Sequence, residues 1–199
     1  MSSKLFNYSS GLKETLRAAT GYIPGRITTT GYKLVESAAT DKAKPVEYGE
    51  VVKYDATELA NNRKVAVPME VGDTADLIKG IIVRTYNQIS NVQYADNVNQ
   101  FVYSPPAGQT VSILRKGFIA APVQDGTPVV DGDLSVRVQA SAALPIGGIE
   151  ATVADGTNLL AVPQFRFDSG PGFPMNATNT TNTGDGTGQT AVVAVDFTL

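Results

Sequence analysis

TVSILRKGFIA, residues 110–120, is a β-prone run in which a Lys-Gly pair interrupts an otherwise largely apolar segment. The same design occurs earlier, in IKGIIVRTY at residues 78–86. Glycine inside a strand is typical of a bulge or bend, because it permits backbone conformations that a side chain opposes. The two runs therefore predict bent strands of a curled sheet.

Other short runs show the same pattern of β-prone residues bounded by turn residues. They occupy residues 50–54, 63–68, 134–138, 149–153, 159–167 and 191–197. Together these runs, at a spacing of roughly 10–20 residues, predict an all-β fold, an antiparallel β-barrel or sandwich with little helix. A short helix is expected only at residues 10–19, where Leu12 and Leu16 have helical spacing.

The body is expected to span residues 45–199, and residues 1–44 are expected to form an extended N-terminal arm without a core of its own. Residues 1–45 carry seven Lys and Arg against three acids, a net of +4, which leaves −7 for the rest of a chain whose total is −3. A basic arm on an acidic body would suit docking to an acidic neighbour; the alternative is a solvated terminus. Two long polar surface loops, 87–107 and 169–189, are expected to be functional or disordered.

The chain has no Cys, no His and no Trp. Without Cys and His, Ser-His-Asp and Cys-His catalysis, disulfides and zinc–sulfur sites are excluded. The net negative charge argues against nucleic-acid binding. No apolar segment follows Lys4 as in a signal peptide, and no run of ~18 apolar residues occurs, so we expect no membrane span and synthesis in a cytoplasm.

Two Asp-Gly motifs place oxygen-bearing side chains close together in sequence, DGD at residues 131–133 and DGTN at residues 155–158. Neither has the regular oxygen-ligand spacing and closing Glu of an EF-hand loop. Since Asp-Gly is first a turn signal, both motifs predict turns. A hydrolase with paired carboxylates in residues 125–133 is the weakest alternative. We predict no catalytic residue, no metal site and no cofactor.

Several phrases occur in a particular order along the chain. They are GYIPGRI at 21–27, VEYGEVV at 46–52, KGI at 79–81, VSILRKGFI at 111–119, GTPVVDGD at 126–133 and AVDFTL at 194–199. Their order resembles that of the capsid cement, or head-decoration, proteins of tailed bacteriophages. Each phrase is a common strand or turn, so the resemblance depends on their succession from residue 21 to residue 199.

The resemblance implies a structural virion protein, not an enzyme, on the outer capsid surface, made in the cytoplasm of a bacterial host. It implies that the major capsid protein is the partner and that neighbouring coat subunits are cemented together. It also implies a homo-oligomer, with a trimer favoured and a dimer possible. A receptor- or carbohydrate-binding β module of a phage tail or fibre is the alternative, which the polar, Tyr-bearing loops favour and the missing Trp disfavours.

The arm holds apolar and aromatic side chains spaced as anchors for such a capsid contact. The expected capsid-binding residues are Leu5, Phe6, Tyr8, Tyr22, Ile23, Arg26, Ile27 and Tyr32. Their alternative role is to pack on the chain's own body.

Overall fold

The structure is a computed structural model that describes residues 25, 27–28, 33–84, 105, 108–141, 144, 146–168 and 189–197. Strands dominate these residues: β1 (Leu34–Thr40), β2 (Val51–Tyr54), β3 (Val65–Pro68), β4 (Ile78–Val83), β5 (Thr110–Gly126), β6 (Asp133–Arg137), β7 (Ile149–Ala151), β8 (Leu159–Phe167) and β9 (Gln189–Asp196). A one-turn helix, α1 (Ala56–Ala60), and a 3-10 turn, Ala75–Leu77, complete the described elements. The predicted all-β fold with little helix is confirmed.

The long strand β5 is shared by two closed rings of strands. Its first half pairs with β1 and β4 and closes the first ring, β1-β3-β2-β4-β5. Its second half pairs with β9 and β7 and closes the second ring, β5-β7-β6-β8-β9. The pairs are antiparallel except β1–β3 and β5–β7, which are parallel. The predicted barrel is thus realised as two small rings fused along one strand.

Both Lys-Gly runs form bulges, as the sequence predicted. Opposite β2 the register shifts so that Lys79 has no partner, and the next residue, Gly80, has a φ of +146°. Opposite β1 the register shifts again and leaves Arg115 without a strand partner, two residues before Gly117. A bulge bends the strand and increases its twist. These bends let β4 and β5 curve far enough for the first ring to close.

Two hydrophobic cores hold the rings together. The smaller core lies in the first ring and contains Ala38, Val46, Tyr48, Val52, Tyr54, Ala66, Ile82, Val111 and Ile113. The larger core combines second-ring residues, such as Val136, Phe165 and Val193, with Val51 and Ile81 of the first ring. Because successive side chains of a strand point to opposite faces, β2 contributes Val51 to one core and Val52 to the other. The two rings therefore pack as one body.

The sequence did not indicate β1, which lies within the range 1–44 expected to be arm. Its residues LVESAAT have weak strand preference, and only Ala38 and Thr40 are buried. Pairing with β3 and β5 makes this segment a strand, an effect of tertiary context that exceeds local preference. The expected helix at 10–19 lies outside the described residues. Loops 87–107 and 169–189 also lie outside them, except for Pro105 in the first loop and Gln189 in the second.

Candidate functional site

The predicted capsid-binding residues lie almost entirely outside the described part of the chain. This applies to Leu5, Phe6, Tyr8, Tyr22, Ile23, Arg26 and Tyr32. Ile27 is described: it forms an isolated bridge with Ile119 of β5 and packs, half-buried, against the larger core. The contact that the structure shows for Ile27 is therefore with the chain's own body.

The N-terminal segment is fastened to the shared strand by backbone hydrogen bonds. The Gly25 N–H donates to the Ala120 carbonyl at 2.8 Å, and the Thr28 N–H donates to the Phe118 carbonyl at 3.0 Å. The Gly25 carbonyl accepts from the Arg84 N–H at 2.7 Å. Gly25 has a φ of +77°, which favours glycine. The arm thus has a fixed base in the middle of β5.

A second candidate contact surface lies on the second ring. Among the described residues, four large hydrophobic side chains are more than half exposed: Val153 at 87%, Val71 at 64%, Val129 at 63% and Val130 at 57%. Val71 lies between β3 and β4, whereas the other three follow β5 and β7. We call Val129, Val130 and Val153 the valine tip.

The parallel pairing of β5 and β7 brings the members of the valine tip to one end of the ring. Gly126 pairs with Ala151, so the two following segments start side by side. A Cβ on Gly126 would lie only 3.1 Å from Oγ1 of Thr152. Val129 is three residues beyond Gly126, and Val153 is two residues beyond Ala151. The tip is therefore one local feature built from two turns.

The turn that carries Val129 and Val130 is held at several points. The Gly132 N–H donates to the Val129 carbonyl at 2.8 Å, and Asp131 has a φ of +60°. The Asp131 N–H donates to the Phe167 carbonyl at 2.7 Å, which ties the turn to the end of β8. The first Asp-Gly motif therefore forms a turn, as predicted.

The second Asp-Gly motif shapes the segment after Val153. Oδ1 of Asp155 accepts from the backbone N–H groups of Thr157, Asn158 and Leu159, at 2.9, 2.7 and 2.9 Å. These hydrogen bonds, first that from Leu159, hold the pKa of Asp155 well below its ordinary value. The motif is a turn closed by its own carboxylate, again as predicted.

The second ring is acidic. Residues 121–168 hold six acids and two Arg, a net of −4: Asp125, Asp131, Asp133, Glu150, Asp155, Asp168, Arg137 and Arg166. Glu150 is fully buried and pairs with Arg137, and Asp133 pairs with Arg166 at 2.6 Å. Asp125, Asp131 and Asp155 are exposed around the valine tip. The tip thus presents apolar side chains within a negative field.

The pKa of the Glu50 carboxyl is raised at the place where the two rings meet. Oε2 of Glu50 accepts from the Glu47 N–H at 2.6 Å, and Gly147, which precedes β7, packs so closely that a Cβ there would lie 2.9 Å from Oε1 of Glu50. Burial, with the neighbouring Glu47 charge, raises the pKa of Glu50 to about 8. Glu50 belongs neither to the arm base nor to the valine tip. We therefore expect its raised pKa to affect the free energy of unfolding and its dependence on pH.

Acidic clusters and clefts are the features relevant to ligand binding in the described part of the chain. It contains no group of three or more acidic residues placed to hold a metal ion. A cleft of about 160 Å³ lies between the rings, lined by residues that include Lys79, Arg115 and Phe197. That volume is well below the ~300–1,000 Å³ of typical cofactor and drug-sized pockets. Within the described ranges, no helix is long and apolar enough to cross a membrane.

Residues 15–196 match the family described as "Structural cement protein (E217 gp24/Pam3 gp6)", a phage family. The chain belongs to this family of phage structural cement proteins. The match covers both rings and the arm from residue 15, so it confirms the resemblance seen in the sequence. This family membership gives the protein a capsid-stabilising structural role.

The fold also occurs in a solved phage capsid structure. A chain of "The capsid of Myoviridae Phage XM1" is 18% identical, with 89% of this chain and 91% of that chain covered and a TM-score of 0.57. No curated protein matches the chain. At this identity the similarity shows that the two chains share the two-ring architecture in outline, and the role rests on the family match.

Sequence reasoning did not single out the valine tip. It predicted a turn at residues 131–133 and a strand at residues 149–153, and it gave no role to Val129, Val130 or Val153. One sequence signal was present, because Val129 and Val130 are adjacent β-branched residues at turn positions that do not favour valine. The pairing of β5 with β7, which brings the two turns together, could not be read from the sequence.

Proposed function

We propose that the protein binds the outer surface of the capsid shell and bridges neighbouring subunits of the major capsid protein. The observation that carries the proposal is the family match over residues 15–196, which includes most of the arm as well as the rings. A pressurised shell fails when neighbouring subunits separate. A protein that touches two subunits opposes this, because its second contact is effectively intramolecular.

The fold suits a bridge because it combines a rigid body with an arm of fixed origin. The hydrogen bonds of Gly25 and Thr28 fasten the base of the arm to β5. The 24 residues before Gly25 span at most about 80 Å when extended, at ~3.3 Å per residue. Their apolar residues, from Leu5 to Ile23, together with Arg26 and Tyr32, would be the anchors on coat protein, while Ile27 holds the base.

The proposed assembly is a homo-oligomer, with a trimer favoured and a dimer possible, on virions assembled in the host cytoplasm. Several copies joined together multiply the number of coat contacts without any new contact chemistry. Sedimentation of the purified protein measures the oligomeric state directly. Labelling of intact virions with an amine-reactive reagent too large to pass through the capsid shell tests whether the exposed lysines of the body face outward.

Deletion of residues 1–24 tests the arm, because it removes the proposed apolar anchors from Leu5 to Ile23 and keeps Gly25 with its hydrogen bonds. The shortened protein should unfold at the same temperature as the full chain and should bind poorly to capsids that lack the cement protein. A matched control keeps the length and charge of the arm and replaces only Leu5, Phe6, Tyr8, Tyr22 and Ile23 by Ser. Full occupancy by both variants would show that the arm is not the anchor.

The receptor- or carbohydrate-binding alternative depended on loops 87–107 and 169–189, which lie mostly outside the described residues. The family match supports the cement function instead. Binding of the full chain to a glycan array, together with no affinity for capsids, would reverse that preference.

A further inference from the structure

The valine tip has no evident role in the fold. Its side chains are 57–87% exposed, so they add little to either core. The tight turn from Val129 to Gly132 places Val130 at its second position, where proline or a polar residue is the usual choice. Val153 precedes a turn that is organised by Asp155 and not by the valine. An exposed apolar cluster without a structural reason indicates a contact surface.

The tip is also pre-organised for binding. The hydrogen bonds of Asp131 to Phe167, of Gly132 to Val129, and of the Asp155 carboxylate to three N–H groups fix both turns before any partner arrives. Valine has few side-chain rotamers, so little conformational entropy is lost when these side chains are fixed on binding. Binding through such a surface therefore loses less free energy to ordering than binding through a flexible loop does.

The charges around the tip restrict its partner. Asp125, Asp131 and Asp155 are exposed beside the valines, and residues 121–168 have a net charge of −4. A two-fold contact between the tips of two copies would set acid against acid, which is unfavourable. A surface with an apolar recess and Lys or Arg at its rim is the complement, since interfaces combine an apolar centre with a charged, solvated rim.

We propose that the valine tip docks on a coat-protein subunit, at an apolar recess edged by basic residues. This inference rests on the proposed cement function and names the part of the body that makes the contact. The arm base bonds to Ala120, and the tip starts after Gly126, six residues farther along β5. At ~3.3 Å per residue the two points are at most about 20 Å apart on one strand, so the contact at the tip is separate from the base of the arm.

The test is a full-length variant that combines Val129→Ser, Val130→Ser and Val153→Ser. Its matched control is Val71→Ser, which removes an equally exposed valine, 64% exposed, from the turn between β3 and β4. We expect the triple variant to bind cement-free capsids roughly 10- to 100-fold more weakly, because three apolar side chains lose their buried contact. The control should bind like the wild type, and both should keep the wild-type unfolding temperature.

A second variant tests the charge and does not depend on the first. Asp131→Asn removes one acid, and asparagine tolerates the φ of +60° at this position. Its capsid affinity should fall about 2- to 5-fold at low salt and equal that of the wild type at high salt, where the attraction is screened. Equal affinity at low salt would contradict a basic rim on the partner.

The outcomes separate this inference from the proposed function. If the wild type binds capsids, the deletion of residues 1–24 weakens binding, and the triple variant binds like the wild type, the valine tip is not a contact and the cement function stands. If the triple variant alters self-association and not capsid affinity, the tip joins copies of this chain and the inference is wrong. If the triple variant unfolds, Val153→Ser alone, at the most exposed position, must still weaken capsid binding about 3-fold or more. If the wild type does not bind capsids, the proposed function fails and the inference fails with it.

Discussion

Gly80 is the position where a single methyl group should damage the fold most. A Cβ placed there would overlap the carbonyl oxygen of Leu114 and lie 2.8 Å from Cγ2 of Ile113, and the residue has a φ of +146°. The substitution Gly80→Ala therefore meets two penalties. The backbone conformation costs an L-residue on the order of 1–3 kcal/mol. Forcing the methyl between β4 and β5 costs about 1–3 kcal/mol more, since the opposing atom belongs to the backbone and cannot rotate away.

The sum, about 2–6 kcal/mol, is a large part of the ~5–15 kcal/mol that stabilises a typical domain. Its structural target is the β4–β5 pairing, where Ile81 and Ile82 lie opposite Leu114 and Ile113. This pairing closes the first ring, so the strands cannot separate locally without opening it. We expect Gly80→Ala to unfold at a clearly lower urea concentration than the wild type in an equilibrium titration followed by circular dichroism.

Gly72→Ala is the matched control for this experiment. Gly72 has a φ of +86°, but a Cβ there would have no atom within 4 Å. The control therefore carries the conformational penalty, about 1 kcal/mol, without the overlap. The free energy of unfolding of Gly80→Ala should lie below that of Gly72→Ala by about the overlap penalty of 1–3 kcal/mol. Equal losses for the two variants would refute the close approach of β4 to β5 at this bulge.

Two further predictions concern buried charge. The pKa of Glu50 is raised from 4.5 to about 8, so the native state holds the proton more tightly than the unfolded chain; the stability is fully present below pH 4.5 and falls as the pH rises towards 8. Glu50→Gln should remove this loss, so the unfolding temperature of the variant should rise relative to that of the wild type between pH 5 and pH 9. A difference in unfolding temperature that stays constant with pH would contradict this prediction. Arg137→Ala should cost about 3–5 kcal/mol because it leaves the fully buried Glu150 unpaired. Arg166→Ala, which breaks an exposed pair, should cost less than ~1 kcal/mol in the same urea titration, and similar losses for both would argue against a buried pair.

Local patterns predicted the strands whose own residues carry the information. β8 coincides with the predicted run at residues 159–167, and the two Lys-Gly bulges lie where glycine interrupts an apolar segment. The features missed depend on partners distant in sequence. β1 is a strand because β3 and β5 pair with it, and β5 continues six residues past its predicted end because β9 and β7 line its second half. The partner strands of β1 and of the second half of β5 cannot be identified from the sequences of those segments alone.

The site divides in the same way. The arm stays a prediction from composition, which separates the basic residues 1–45 from the acidic remainder of the chain. The valine tip was invisible because its members are 24 residues apart, from Val129 to Val153, and become neighbours only through the parallel register of Gly126 with Ala151. A parallel pair joins residues far apart in sequence and leaves no hairpin turn as a local signal.

The shared strand connects these observations to the proposed bridge. β5 carries the arm base at its middle and the valine tip beyond its end, and it belongs to both closed rings. A closed ring leaves no strand edge unpaired, because each of its strands is paired on both sides. In the proposed bridge, force that a coat subunit applies to the arm would pass along β5 from Ala120 towards Gly126, through the register shift between Val123 and Asp125.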